Sequence, residues 1–222
     1  MINDFENSLI ENIDNQNDKE KEIISFLLSN GISAEKSKMI TEKLYYKFYN
    51  LYNIVNASKN ELIKIKGLGN KRAELLKSLP KILEYYLLSR LKLSTLHFNK
   101  KDLIDYLIIK FGKLKFEAFS IICLDINKRF ISIEQIFRGT IDSATIYPSD
   151  LVEKSLSLGA SYVIISHNHP SGISKPSKED IEITKILYKA FLIVNIKMID
   201  HLIIAGDSIY SFRESGILDD FN

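Results

Sequence analysis

The chain has 222 residues, of which 45% are hydrophobic, and it carries 30 Lys/Arg against 28 Asp/Glu. This composition excludes a disordered chain and a collagen-like fibre, and the single cysteine excludes a disulfide scaffold. No apolar run approaches the roughly 18 residues of a membrane span. The polar start of the chain has neither the basic nor the apolar region of a secretory signal. We therefore expect a soluble, cytoplasmic protein that does not engage a membrane.

Charge is distributed unevenly along the chain. Residues 1–20 contain six acids and one lysine, which predicts a flexible acidic leader. Residues 21–100 contain fifteen bases and six acids, whereas residues 101–222 contain fourteen bases and sixteen acids. A basic part followed by a nearly neutral part indicates two domains with different tasks, which we place at 21–95 and 100–222. The alternative is a solvated helical face rich in lysine.

The first domain has helical spacing throughout. Ser58 precedes Glu61 by three residues, which predicts a capping box and a short helix. Pro80 predicts a stop or a kink in the helix that begins near residue 70. The predicted helices of this part lie near 23–28, 39–48, 58–64, 70–80 and 81–91.

From residue 100 onward, helices alternate with short apolar strands. The predicted helices lie at 100–111, 148–158 and 178–191, and the predicted strands at 117–125, 129–139, 160–166, 194–206 and 209–212. This order predicts mixed strands with helices packed on them. The expected fold is therefore an all-α domain followed by a mixed-sheet α/β domain.

Two histidines follow the strand predicted at 160–166. His167 and His169 are two residues apart, so in an extended backbone their side chains lie on the same side. Asp180 opens the next helix, and the intervening turn can bring it back over both imidazoles. Two imidazole nitrogens and one carboxylate suit catalytic Zn²⁺, with a fourth position for water. Without a metal, the same residues form a plain turn, because Ser177 and Asp180 have the spacing of a capping box.

The complete pattern is more specific than either of its parts. His-x-His, seven residues and Ser-x-x-Asp match the JAMM signature of MPN-type metalloproteases at every defined position. Three segments resemble the bacterial RadC family more closely. They are His-Asn-His-Pro-Ser-Gly at 167–172, Arg-Gly-Thr at 138–140 and Asp-His at 200–201. The resemblance covers roughly 100–222. Ser149 departs from it, since many RadC-like sequences have Arg there, and this puts in doubt any contact which that arginine makes.

The resemblance implies a zinc-dependent hydrolase in which water attacks an amide or isopeptide bond of a peptide or protein substrate. It implies one zinc ion per chain, with His167, His169 and Asp180 as ligands. Ser177 would help to hold the oxyanion and would also cap the helix. The general base of this family is a glutamate that leads a buried strand, a place that Glu117 occupies here, with Glu134 as the rival.

For three further residues, a purely structural role is one of the interpretations. Asp200 and His201 either orient a metal ligand or are satisfied polar residues at a strand end. Cys123 lies in the middle of a predicted strand, where a buried, small hydrophobic residue is expected.

The segment 63–73 resembles a helix-hairpin-helix turn. Gly67 and Gly69 permit a tight turn whose backbone N–H groups can approach a phosphate. The positive charges around it are Lys66, Lys71 and Arg72. DNA is therefore a second candidate partner, contacted through its backbone in a salt-sensitive manner. A protein contact or a plain connection between helices explains the same residues.

The competing function is a DNA-binding accessory protein of DNA repair or processing, with a structural or nuclease-type metal site. A zinc nucleoside deaminase is excluded, because its signature requires a Pro-Cys-x-x-Cys segment and the chain has one cysteine.

Overall fold

A computed structural model describes residues 17–93, 99–139 and 146–221. The chain divides into two compact units between Ile82 and Leu83. Among the described helices, none combines the length and the apolar character needed to cross a membrane. The leader predicted at 1–20 lies mostly outside the described residues, but its last four residues already belong to a helix.

The first unit is helical. Its helices are α1 (17–28), α2 (Ala34–Phe48), α3 (Leu51–Asn56), α4 (Lys59–Ile63) and the start of α5 (Gly69–Leu93). The predicted capping box is present, because Ser58 and Glu61 each bind the other's backbone N–H. Leu28, Leu44 and Leu62 are fully buried in one hydrophobic core. The predicted helical character of this region is thus confirmed.

The sequence predicted a stop or a kink at Pro80, and the stop is wrong. Helix α5 continues to Leu93 with Pro80 inside it. Proline removes one hydrogen bond of the helix. Leu76 before it and Leu87 and Leu91 after it are buried in hydrophobic cores, and this packing favours one uninterrupted helix. The division of the chain into units falls within α5, whereas the sequence placed the domain boundary near residue 95.

The second unit is built on a five-stranded sheet in the order β2-β1-β3-β4-β5. Its elements are α6 (Lys100–Phe111), β1 (Glu117–Leu124), β2 (Phe130–Gly139), α7 (Pro148–Ser157), β3 (Tyr162–Asn168), α8 (Lys178–Ile193), β4 (Lys197–Ala205), β5 (Ser208–Ser211) and a 3-10 helix (Ile217–Phe221). Strands β3 and β4 are parallel, and the other neighbouring pairs are antiparallel. The predicted fold class, a helical region followed by a mixed sheet with helices, is confirmed.

Alternation along β1 separates the two faces of this sheet. Ala118 and Ile122 pack into a core with α6, while Phe119, Ile121 and Cys123 pack into another with α7 and α8. Helix α8 connects the parallel strands β3 and β4, so the connecting loop and the start of α8 follow the carboxyl end of β3. This end of the sheet is where ligands commonly bind in parallel α/β units.

Candidate metal centre and basic turn

His167 and His169 lie where β3 ends. His167 is the penultimate residue of the strand and is almost completely buried, whereas His169 is partly exposed in the following loop. Their Nε2 atoms are 2.9 Å apart. The structure therefore places both imidazoles on one side of the chain, as the spacing predicted.

Asp180 faces both histidines from the first turn of α8. Its Oδ1 is 3.0 Å from Nε2 of His167, and its Oδ2 is 3.3 Å from Nε2 of His169. The capping box holds this carboxylate, because the backbone N–H and the hydroxyl of Ser177 both donate to Oδ2 at 2.7 Å. The three potential ligand atoms lie within 4.8 Å of one another. The capped turn and the cluster are therefore one structure and not alternatives.

The hydroxyl of Ser177 already has this partner. While it donates to Asp180, its single proton is not available to an oxyanion. The sequence assigned Ser177 both roles, and the geometry of this state contains only the capping one.

The protonation of the cluster favours a cation. The carbonyl oxygen of Ile173 lies 2.7 Å from Nδ1 of His169, and a carbonyl can only accept, so the ring proton is on Nδ1. Nε2 of neutral His169 then presents a lone pair to the Asp180 carboxylate. A lone pair and a carboxylate that converge in a buried space are suited to a shared cation. The donor set therefore fits a divalent metal.

Electrostatics in the metal-free cluster agree with this interpretation. The hydrogen bond to Asp180 raises the pKa of His169, with a smaller contribution in the same direction from the charge of Glu117. Burial opposes ionisation of Asp180, but its hydrogen bonds with His167 and His169 lower its pKa below the usual range. A proton and a metal ion would therefore compete for Nε2 of His169.

Glu117 reaches the same end of the sheet from β1. Phe119 pairs with His167, and β1 and β3 are antiparallel. Glu117, two residues before Phe119, therefore lies at the position opposite His169, two residues after His167. Glu117 and Phe119 point to the same face of the sheet, and the Phe119 ring stacks on that of His167 with centroids 5.9 Å apart. The carboxylate predicted as the base therefore lies beside the cluster.

Glu134 occupies a different part of the sheet. It pairs with Ile121, four residues beyond Glu117 along β1, a distance of about 13 Å along the strand. Its Oε2 is 3.4 Å from Nζ of Lys154. The geometry thus favours Glu117 over this rival.

Asn168 is a residue whose role the sequence did not indicate. Its side chain is buried and accepts a hydrogen bond from the backbone N–H of Ala118 at 2.8 Å. It also donates to the carbonyl of Phe116 at 3.0 Å. These two bonds clamp the backbone on both sides of Glu117. No local pattern identifies this contact, since it depends on the pairing of β1 with β3.

Asp200 and His201 separate into the two roles that the sequence left open. Nε2 of the fully buried His201 is 2.8 Å from Nδ1 of His167, so His201 contacts a candidate ligand. The carboxylate of Asp200 instead accepts hydrogen bonds from Ser211 and from the backbone of Arg213. Asp200 therefore has a structural role, joining β4 to the end of β5 and the turn after it.

The predicted basic turn lies in the first unit, between α4 and α5. Gly67 and Gly69 have φ of 98° and 69°, values that favour glycine. Lys66 and Lys71 are exposed beside them. Arg72 differs, because its guanidinium donates to the carbonyls of Leu28 at 2.8 Å and of Asn30 at 2.7 Å.

These contacts give Arg72 a structural role that the sequence analysis did not foresee. The two carbonyls belong to the end of α1 and the turn after it, so Arg72 caps that helix.

The mixed sheet, the helices on its two faces and the His/His/Asp cluster at the end of β3 together define a JAB domain. The model of the RadC-like JAB domain matches residues 98–217. The chain belongs to the RadC family. The UPF0758 protein of Methylibium petroleiphilum is 34% identical over 198 residues, which is 89% of both chains. The UPF0758 protein of Pseudoalteromonas translucida is 33% identical over 197 residues, 89% of this chain and 88% of its own.

Proposed function

We propose that the second unit is a zinc-dependent hydrolase that cleaves an amide or isopeptide bond in a peptide or protein. The observation that carries this proposal is the convergence of the His167, His169 and Asp180 ligand atoms within 4.8 Å, with Glu117 level with His169 in the sheet. Two histidines and one carboxylate are typical of zinc sites that keep a position open for catalysis. Membership of the JAB domain class agrees with a hydrolase.

His167, His169 and Asp180 would hold the metal. When bound, Zn²⁺ supplies a Lewis acid for the scissile carbonyl and lowers the pKa of water. Glu117 accepts a proton from the attacking water and then delivers it to the leaving amine. Asn168 keeps Glu117 in place through the backbone of its two neighbours.

The test compares Glu117→Gln with the matched variant Glu134→Gln. Both replace a β-strand carboxylate by an amide, but Glu134 is paired with Lys154 away from the cluster. Zinc content is measured by elemental analysis, and hydrolysis with fluorogenic peptide and isopeptide probes. We expect both variants to retain zinc and Glu117→Gln alone to lose about 10²-fold or more in kcat. Full activity of Glu117→Gln would exclude Glu117 as the base.

A second candidate function, nucleic-acid binding, concerns the first unit. An open groove of about 1100 Å³ lies next to the Gly67–Gly69 turn and contains both lysines and tyrosines. Its exposed tyrosines are Tyr46 and Tyr49. Five lysines and two acids also line it, namely Lys21, Lys43, Lys47, Lys64, Lys66, Asp18 and Glu42. Lysines suit phosphates, and exposed tyrosines suit the stacking of unpaired bases.

The test of this second candidate uses Lys66→Glu with Lys71→Glu. Arg72 is left intact because it holds α1. The control is Lys36→Glu with Lys38→Glu, two exposed lysines of α2 outside that groove. Binding to a labelled single strand is measured at several salt concentrations. We expect the first variant to weaken binding and flatten its salt dependence, and the control to do less. Equal effects of the two variants would indicate a non-specific charge effect.

A further inference from the structure

A series of buried hydrogen bonds extends from Nδ1 of His167, the ring nitrogen that does not face His169. Nδ1 of His167 is 2.8 Å from Nε2 of His201, and Nδ1 of His201 is 2.6 Å from Oγ1 of Thr184. Oγ1 of Thr184 also bonds to the backbone carbonyl of Asp180. Thr184 and His201 are fully buried, so solvent supplies no competing partner.

The direction of each bond follows from its fixed end. The carbonyl of Asp180 can only accept, so the hydroxyl of Thr184 donates its single proton to this carbonyl. Thr184 must then accept from His201, which places the ring proton of His201 on Nδ1. Complete burial disfavours a second, charge-bearing proton on this ring. Nε2 of His201 is therefore an acceptor, and His167 donates to it from Nδ1.

The hydrogen bond from His167 to His201 determines which nitrogen of His167 carries the ring proton. With its proton on Nδ1, neutral His167 has a lone pair on Nε2, the atom that lies 3.0 Å from Asp180 Oδ1. Aromatic rings hold both imidazoles in these planes. Phe119 stacks on His167, and Phe212 stacks on His201 with centroids 4.8 Å apart. Helix α8 thus supplies one candidate ligand, Asp180, and one turn later the Thr184 hydroxyl, which fixes the direction of these hydrogen bonds.

We propose that Thr184 and His201 are positioning residues that fix the ring proton of His167 on Nδ1 and so keep its Nε2 free to bind a metal. This inference rests on the proposed metal site. It gives a role to Thr184 and His201, which are both fully buried behind His167. Partners that orient the second nitrogen of a ligating histidine typically change metal affinity by about 10- to 100-fold.

The experiment removes the hydroxyl of Thr184 while keeping its shape. Thr184→Val is compared with Thr184→Ser, which retains the hydroxyl. Thr41→Val is the matched control, because Thr41 is also buried and also donates to the carbonyl four residues earlier, but in α2 of the first unit. Zinc affinity is measured by competition with a chromophoric chelator. Ring protonation is measured by ¹⁵N–¹H NMR of histidine-labelled, metal-free protein.

We expect Thr184→Val to weaken zinc binding by about tenfold or more, with Thr184→Ser and Thr41→Val close to wild type. In the NMR spectra, wild-type His201 should carry its proton on Nδ1, and Thr184→Val should lose this preference. A folded Thr184→Val with wild-type zinc affinity, or wild-type His201 protonated on Nε2, would overturn the inference. Failure of the wild type to bind zinc would instead overturn the proposed function, and the NMR result would show which of the two ideas had failed.

Discussion

The metal cluster of the second unit and the basic turn of the first unit differ in the surroundings of their charged groups. In the cluster, Asp180 and His167 are buried, and their ligand atoms converge with those of His169. At the turn, Lys66 and Lys71 are exposed to solvent and Arg72 is bound to backbone carbonyls. Burial of converging polar groups is costly unless a partner satisfies them, whereas exposed lysines are satisfied by water. The cluster therefore offers converging, buried ligand atoms to a cation, whereas the turn offers exposed charges that water already satisfies.

The largest effect expected from this comparison is the loss of metal on removing a ligand. His169→Ala deletes one of three ligands, so we expect zinc content to fall from about one per chain to nearly none. Glu179→Gln is the control, because Glu179 is an exposed acid in the same turn of α8. Elemental analysis of both purified proteins provides the measurement. Equal zinc in His169→Ala and wild type would place the metal elsewhere.

A smaller effect is expected at Asn168, which contacts the backbone around Glu117 and not the metal. Asn168→Ala removes the side chain that bonds to the N–H of Ala118 and to the carbonyl of Phe116. We expect kcat to fall by about 10- to 100-fold with zinc content retained, because the base shifts while the ligands stay.

Asn168→Asp sharpens this prediction. The carboxylate can still accept from Ala118 but cannot donate to Phe116, so an intermediate kcat is expected. Steady-state kinetics and zinc analysis of both variants test it. If Asn168→Ala lost zinc in proportion to its activity, the clamp would be holding the ligands and not the base.

The pH dependence of metal binding follows from His169. Its pKa is raised in the metal-free protein, chiefly by the hydrogen bond to Asp180. Because the protonated ring cannot bind a metal, zinc affinity should decline as pH falls through this raised pKa, by up to about tenfold per pH unit for one competing proton.

The stability of the metal-free protein should change in the opposite sense. The pair of protonated His169 with Asp180 contributes stability that is fully present below the unfolded-state pKa of about 6.5, and that is lost as pH rises through the folded-state pKa. Chelator competition and thermal unfolding of metal-free protein across this window test both trends. A zinc affinity that did not change with pH would contradict the assigned protonation.

How far the sequence alone predicts this molecule depends on the range of each interaction. The three candidate ligands are predictable, because they lie within one strand, one loop and the first turn of one helix. His201, Asn168 and Phe119 act through the pairing of β3 with β4 and with β1, and periodicity predicts strands but not their partners or register. The continuation of α5 past Pro80 and the contacts of Arg72 were not predicted either, because local rules do not include the buried leucines of α5 or the carbonyls at the end of α1.

The smallest expected effect is a difference in the free energy of unfolding between Arg72→Ala and Lys71→Ala. Arg72→Ala removes a charged donor from the carbonyls of Leu28 and Asn30, so we expect the free energy of unfolding to fall by about 1–3 kcal/mol. Lys71→Ala removes an exposed charge and should change it by less than about 0.5 kcal/mol. Urea unfolding of the full chain, followed by circular dichroism, measures both. If Arg72→Ala were as stable as Lys71→Ala, its bonds to α1 would contribute little, and Arg72 would again be available as a nucleic-acid contact equal to Lys66 and Lys71.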